Sequence, residues 1–227
     1  MSLESTLRQV LTNPAFLGAW AVLVAVSLSV LAWDVHERNS EIAPLMKFVW
    51  GLTVLYSGPL GLGVYYYAGR TQIPHDSLWR KGFRSVAHCY SGCGAGEVIG
   101  VTVAAGILAL DTAPTIAITF GCAYVLGYSL TVGPLVQEGV GFREAMLDAL
   151  YSETPSITVM ELAAIGTDVW LAGEAHIGDV LFWSGLIFSL TIGLLVAYPV
   201  NVALIHQGVK SGMQNPSELR SGSTSAA

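Results

Sequence analysis

The chain has 227 residues, of which 53% are hydrophobic and only 11% are charged, and its mean hydropathy is +0.59. A typical soluble domain carries about 25% charged residues, so this composition indicates a polytopic membrane protein. The net charge of −6 and the lack of a basic stripe exclude nucleic acid as a partner, and three cysteines in apolar runs are not the framework of a secreted, disulfide-rich domain.

Apolar runs predict an all-α fold, a polytopic membrane helical bundle with about six transmembrane helices. A span needs about 20 mostly apolar residues, and the runs that meet this requirement are 15–33, 46–68, 84–110, 113–136, 154–172 and 179–205. The first run ends in LAWDVHE without a small-residue cleavage site, so we interpret it as a retained helix and not as a signal peptide. Together the spans form a single transmembrane domain, residues 1–210.

Two further segments differ in character from the spans. Residues 141–152 place Phe142, Met146 and Leu150 at i, i+4 and i+8, which predicts an amphipathic helix on the inner surface or a simple linker helix. The tail, 211–227, is small and polar, and we predict that it is disordered.

Lysine and arginine predict the orientation of the six spans. With the N-terminus inside, the inner segments hold eight of the ten basic residues, and the outer loops hold only Arg38 and Lys47. Basic residues accumulate in cytoplasmic loops. We therefore predict a multi-pass protein of the cell (plasma) membrane with the N-terminus and the C-terminus both in the cytoplasm.

The third predicted span contains VAHCYSGCGAGEVIG, residues 86–100, in which polar groups interrupt an apolar helix. Residues four apart lie nearly above one another on a helix, so Cys89, Cys93 and Glu97 form one stripe. His88 begins the neighbouring stripe, which continues with three glycines spaced as GxxxGxxxG. Small residues let another helix approach closely. The alternative interpretation is that the three glycines of SGCGAG unwind the helix locally, so that its backbone groups line a site.

The combination of a histidine, two cysteines and a glutamate in this span predicts a site for a soft or borderline metal ion. Two thiols one turn apart bind a soft cation such as Cu(I) or Zn(II), and imidazole and carboxylate groups complete its shell. Either cysteine alone is better explained as a small apolar residue in the helix packing.

Two acids of the fifth predicted span, Glu161 and Asp168, lie seven residues apart on one face. A charge near the bilayer centre costs at least about 2.5–3.5 kcal/mol, and no lysine or arginine lies in the middle of a predicted span. The missing countercharge is either a metal ion or protons; alternatively, the acids are neutral and hydrogen-bonded, with no transported species. We predict one buried cation or proton site between the third and fifth spans, with the ligands His88, Cys89, Cys93, Glu97, Glu161 and Asp168.

The motif HCxxGCxxGE at 88–97 resembles the HCxxGCxxG(D/E) signature of an uncharacterised bacterial and archaeal membrane family, described only as a domain of unknown function. LYSGPLGLGVYYYAGR at 55–70 resembles the second-helix pattern of that family. Glu97 stands where the family has aspartate, which keeps the charge and lengthens the side chain. The resemblance implies a fold over about 46–210 and a candidate site. The association of some members with copper-oxidase-type proteins implies copper, and such a protein as a partner.

Three functions are compatible with these features. The first is an integral membrane protein that binds or transports copper or zinc, with or without coupling to protons. The second is a structural or assembly subunit of a membrane complex without its own chemistry, and the third is a thiol/quinone redox protein. No hydrolase or phosphate-binding motif occurs, so an enzyme is the less favoured class. The expected partners are the lipid bilayer, a metal ion and, in a homo-oligomer, a second copy of the chain.

Overall fold

The structure is a computed structural model that describes residues 2–173, 175–213 and 215–219. Every regular element in this part of the chain is helical, which confirms the all-α prediction. The helices are α1 (Leu3–Leu11), α2 (Pro14–Glu37), α3 (Pro44–Ser57), α4 (Pro59–Ala68), α5 (Leu78–Val101), α6 (Thr112–Gln137), α7 (Phe142–Ala172) and α8 (Val180–His206), with a π-helical segment, Thr102–Ile107, after α5. Among these described helices, α2, α6 and α8 are long and apolar enough to cross a membrane.

The second predicted span is not one helix, because the chain reverses at Gly58. α3 stops one residue before Gly58, whose φ of +54° favours glycine, and α4 starts at the following residue. The two helices then run back along each other, so that the rings of Trp50 and Tyr65 are 5.5 Å apart. α3 and α4 therefore form a helical hairpin that begins and ends at the same end of the bundle. The prediction of one continuous span over 46–68 is wrong.

Helices α5 to α8 form an antiparallel bundle in which α5 contacts α3, α4, α6, α7 and α8. Sixteen of the 24 residues of α5 are buried, so its polar side chains face other helices. We call the end of the bundle at the N-terminus of α5 the His88 end, and the opposite end the Glu97 end. The predicted surface helix at 141–152 and the fifth span form one continuous helix, α7, in which Pro155 does not end the helix.

The glycine stripe of α5 packs against α6. A Cβ atom added at Gly96 would lie 2.4 Å from the Cα atom of Ala123, and one added at Gly92 would lie 2.8 Å from the Cα atom of Gly127. These distances leave no room for side chains, so the predicted close approach of a second helix is confirmed. α5 remains helical through SGCGAG, so local unwinding is not observed there.

The described ends of the chain lie at opposite ends of the bundle. The carbonyl oxygen of Leu11, at the end of α1, accepts a hydrogen bond from Ser184 near the start of α8. Arg8 donates to the carbonyl oxygen of Trp170, near the end of α7. Lys210 follows the other end of α8, about 40 Å away at a rise of about 1.5 Å per residue. The α3–α4 hairpin does not run the length of the bundle, so the described ends are separated, whereas the side of a membrane on which each terminus lies stays a prediction.

Buried ion pairs hold the elements of the His88 end together. Arg84 of α5 donates to Asp76 at 2.7 Å. Partial burial raises the pKa of Asp76, but the hydrogen bond and positive charge of Arg84 outweigh burial and hold that pKa below its usual value. On α2, the fully buried Asp34 accepts hydrogen bonds from Arg70 and Tyr65, both at 2.8 Å. These contacts fix α2 and the hairpin against the rest of the bundle.

Part of the tail that we predicted to be disordered lies within the described residues. The carbonyl oxygen of Met213 accepts a hydrogen bond from Arg84 at 3.4 Å, and residues 216–219 form a helical turn. Residues 214 and 220–227 lie outside the described residues, so for them disorder stays a prediction.

Candidate functional site

Two cavities enter the α5–α8 bundle from opposite ends. The cavity at the His88 end has a volume of about 560 Å³, and its lining includes His88 and Lys210; we call it the His88 cavity. The cavity at the Glu97 end has a volume of about 550 Å³, and its lining includes Glu97 and Asp168; we call it the Glu97 cavity. Helices α5, α6 and α7 line both cavities, whereas α8 lines the Glu97 cavity and the segment after α8 lines the His88 cavity.

A layer of buried residues separates the two cavities. Cys89 and Cys93 lie on α5 between His88 and Glu97, and neither cavity lining includes them. Glu161 has the corresponding position on α7. All three residues of this layer are buried. These three predicted ligands therefore lie at mid-depth in the bundle.

Cys89 and Cys93, which we call the sulfur pair, lie one turn apart on α5. Their Sγ atoms are 3.9 Å apart. Ser156 of α7 donates a hydrogen bond to Cys89 Sγ at 3.1 Å, and Cys93 Sγ would lie 3.1 Å from a Cβ atom added at Gly127 of α6. The sulfur pair thus lies where α5, α6 and α7 meet, and the predicted contact between the third and fifth spans is confirmed.

A chain of hydrogen bonds connects the sulfur pair to the His88 cavity. Asn201 of α8 donates to Ser156 Oγ at 3.1 Å, and the side-chain oxygen of Asn201 accepts from Lys210 Nζ at 2.9 Å. Lys210 also forms an ion pair with Glu153 at 2.7 Å. All of these residues are buried. A polar route therefore leads from the cavity to Cys89 between apolar side chains.

Acidic side chains connect the sulfur pair to the Glu97 cavity. Glu161 is fully buried, and neither of its carboxylate oxygens has a hydrogen-bond partner among the described residues. It lies near enough to Cys89 and to Glu97 for like charges on these groups to repel one another, and the same holds for Glu97 and Asp168. The Oε2 atom of Glu97 is buried and also without a partner in this part of the chain. Buried polar atoms are normally paired, so these acids point to an ion, a proton or another ligand.

The six predicted ligands do not converge on one point. Within the described ranges, no group of three or more histidine, cysteine, aspartate and glutamate side chains is placed to hold a metal ion. His88 lines the same cavity as Glu153 and Lys210, on one side of the sulfur pair, whereas Glu97 and Asp168 line the other cavity. The structure therefore divides the predicted single site into a buried pair of thiols and two flanking groups.

The candidate site residues chosen from the sequence left out four residues of the hydrogen-bonded route, namely Glu153, Ser156, Asn201 and Lys210. In the sequence, Glu153 looks like any other charged residue at the end of an amphipathic helix. Lys210 looks like any other basic residue that follows a span on its cytoplasmic side. The two residues are 57 positions apart, and nothing local to either segment indicates that they pair. The single available signal was a charged residue at the edge of each apolar run.

The comparisons with known proteins concern the second part of the chain. A family model described as a domain of unknown function (DUF4396) matches residues 78–210. No curated protein and no solved structure matches the chain. The matched residues cover α5 to α8 and the cysteine motif at 88–97, whereas the pattern at 55–70 lies outside them. The chain therefore belongs to the family defined by this domain of unknown function.

Proposed function

We propose that this chain is a multi-pass membrane protein that binds a soft metal ion at the sulfur pair and moves it between the two cavities. The observation that carries the proposal is the position of two buried thiols, with Sγ atoms 3.9 Å apart, in the layer between cavities that open at opposite ends. A central site that is reached from two sides in turn is the arrangement that alternating-access transporters use.

The distribution of apolar and charged side chains supports a location in the membrane. Large apolar side chains are exposed on the outside of the long helices: Val22, Val125, Leu162 and Leu195. Charged side chains such as Arg84, Glu97 and Glu161 are buried inside. Lipid would cover the apolar surface, and charged groups in membrane proteins face the interior of the bundle. In this proposal α2, α5, α6, α7 and α8 cross the bilayer, and the α3–α4 hairpin re-enters it.

Basic residues orient the protein with its His88 end in the cytoplasm. Because the α3–α4 hairpin turns back, Arg38 and Lys47 lie at the His88 end, not on the opposite side. Among the described basic residues, Arg8 alone lies at the Glu97 end. The basic residues at the His88 end are Arg38, Lys47, Arg70, Arg80, Lys81, Arg84, Arg143 and Lys210. The positive-inside rule then places the C-terminus in the cytoplasm and α1 on the outer side of the plasma membrane.

The number of ligands at the sulfur pair, and not the distance between its Sγ atoms, favours Cu(I) over Zn(II). Two thiolates bound to one zinc ion at about 2.3 Å in tetrahedral geometry would be about 3.8 Å apart, which is close to the observed 3.9 Å. A structural zinc ion takes four ligands, however, and the described residues bring no third histidine, cysteine or carboxylate ligand to the pair. Cu(I) is a soft ion for which thiolates are the preferred ligands, and two of them suffice.

The groups on either side of the sulfur pair define a route through the bundle. From the cytoplasm, the His88 cavity and the hydrogen bond of Ser156 lead to Cys89. Beyond the pair, Glu161 and Glu97 lead to the Glu97 cavity. Binding to both thiolates releases the thiol protons, which links movement of the metal to movement of protons.

Copper content tests the binding site directly. Wild-type protein loaded with Cu(I) under reducing conditions and then dialysed should retain about one ion per chain, whereas Cys89→Ser/Cys93→Ser should retain none, because a hydroxyl group is a poor ligand for a soft ion. The measurement is mass spectrometry of the metal in samples of known protein concentration.

The matched control for this experiment is Cys122→Ser, since Cys122 is a free cysteine on α6 outside the sulfur pair. This variant should keep the copper of the wild type. Equal and negligible copper in all three proteins would contradict metal binding and would favour the structural or assembly subunit.

Labelling with a membrane-impermeant maleimide tests the orientation. In a variant whose native cysteines are replaced by serine, Ser5→Cys should react in intact cells, because α1 is placed on the outer side. Ser211→Cys should react only after the cells are opened. Protection of both positions in intact cells would instead restore the arrangement with both termini in the cytoplasm.

A further inference from the structure

Lys210 is a buried cation on the segment that follows α8. Its Nζ atom lies 2.7 Å from Glu153 Oε2 and 2.9 Å from Asn201 Oδ1, and only 7% of the residue is exposed. The ammonium group is at the cytoplasmic end of the route that continues through Ser156 to Cys89. This position is therefore one in which the protein already stabilises a positive charge with two oxygen atoms.

The segment that carries Lys210 is attached to the bundle by turns. α8 ends at His206, and Gly208 and Gly212, on either side of Lys210, both have φ of +73°. The amide of Lys210 bonds to the carbonyl oxygen of Leu204 at 3.3 Å, within the turn that ends the helix. The ammonium group of Lys210 can therefore leave Glu153 by rotation of the side chain, while the backbone amide of Lys210 keeps its bond to Leu204.

The acids of the Glu97 cavity, unlike Glu153 in the His88 cavity, are not paired with a basic residue of the described chain. Glu97 and Asp168 line the Glu97 cavity, and neither forms a salt bridge with a described residue. A cation of the protein thus fills one end of the route, and the acids at the other end face a cavity. This asymmetry is expected of a transport route that is blocked between the His88 cavity and Cys89, with the cavity itself open.

We propose that Glu153 and Asn201 form the cytoplasmic entrance subsite for the metal cation, and that Lys210 occupies it as a built-in cation that must withdraw before the metal reaches Cys89. The inference rests on the proposed function and adds the residues that admit its substrate. A carboxylate and an amide oxygen hold a soft cation weakly, and an entrance site has to release the ion toward the thiols. Exchange of one cation for another also never leaves Glu153 buried and unpaired, which would be costly.

Reactivity of Cys89 with small methanethiosulfonate reagents tests whether the entrance is open, with no metal ion required. Purified protein carrying Cys122→Ser is treated with an ammonium-bearing reagent or with an uncharged reagent of similar size, and peptide mass spectrometry follows labelling of Cys89. Lys210→Met should accelerate labelling by the ammonium reagent at least about tenfold, because Glu153 is left without its partner. Lys210→Arg, which keeps a cation beside Glu153, should stay near the wild-type rate.

A double variant separates removal of the cation from attraction by Glu153. Glu153→Gln/Lys210→Met leaves no buried charge, so it also controls for a folding defect in the single variant. The uncharged reagent should react faster than in the wild type, and the preference for the ammonium reagent should be lost. Unchanged labelling of Cys89 in both variants, or equal acceleration by both reagents in Lys210→Met, would overturn the inference. Copper content of the wild type decides the proposed function separately.

Discussion

Replacement of Glu161 by leucine is expected to stabilise the protein and to slow transport of the metal ion at the same time. Glu161 is fully buried, and its two carboxylate oxygens have no hydrogen-bond partner among the described residues. A buried polar group without a partner costs about 1–3 kcal/mol, and leucine fills a similar volume without polar atoms. If the carboxyl group of Glu161 contributed to packing alone, its replacement by leucine would leave the rate of transport unchanged.

The proposed route requires this carboxyl group, because Glu161 interacts with both Cys89 and Glu97 and lies between the sulfur pair and the Glu97 cavity. We expect the rate of copper uptake into proteoliposomes to fall at least about tenfold in Glu161→Leu, while the copper bound at equilibrium by the thiols is retained. Thermal unfolding in detergent should show a higher midpoint than the wild type.

The neighbouring residue offers a matched control for the Glu161 experiment. Leu162 lies next to Glu161 on α7 and is 64% exposed on the outside of the bundle. Leu162→Val should change neither the uptake rate nor the unfolding midpoint appreciably. Copper uptake at the wild-type rate in Glu161→Leu would show that this acid is not on the route.

Replacement of Gly96 by leucine is expected to prevent the correct assembly of α5 and α6. A Cβ atom at Gly96 would lie 2.4 Å from the Cα atom and 2.5 Å from the backbone nitrogen of Ala123. Backbone atoms cannot rotate away as a side chain can, so the two helices would have to separate. Loss of this packing should destabilise the protein by about 3 kcal/mol or more, which size-exclusion chromatography and thermal unfolding in detergent would detect.

Gly166 is the matched control for Gly96. It lies inside α7, and a Cβ atom added there would meet nothing within 4 Å. Gly166→Leu should therefore be neutral or should stabilise the helix by about 0.5–1 kcal/mol, since leucine has the higher helix propensity. A monodisperse Gly96→Leu protein with the wild-type unfolding midpoint would contradict the close contact between α5 and α6.

Local patterns in the sequence were sufficient for the class of the fold and for the composition of the candidate site. Long apolar runs predict most of the helices, because hydropathy acts over about 20 consecutive residues. The spacing of the glycines in α5 predicts a close-packed face, and the spacing of Cys89 and Cys93 predicts that their thiols are neighbours. Each of these properties depends on residues within a few turns of one helix, and the structure agrees with them.

The number of crossings and the direction of the chain required the tertiary structure. The apolar run at 46–68 is long enough to span a bilayer, but hydropathy carries no information about direction, and the left-handed turn at Gly58 reverses the chain. That single reversal moves Arg38 and Lys47 to the opposite end from the one predicted, and it separates the two termini. The direction of one turn therefore decides at which end of the bundle the preceding residues lie.

By itself, the sequence determined that this is an all-helical chain with helices long and apolar enough to cross a membrane and with thiols and acids on α5 and α7, because composition and helical spacing are local properties. Only the tertiary structure decided that α6 packs against the glycines, that two cavities flank the sulfur pair, and that Lys210 meets Glu153 and Asn201. Such contacts join residues far apart in the chain, and their geometry depends on how the helices pack against one another.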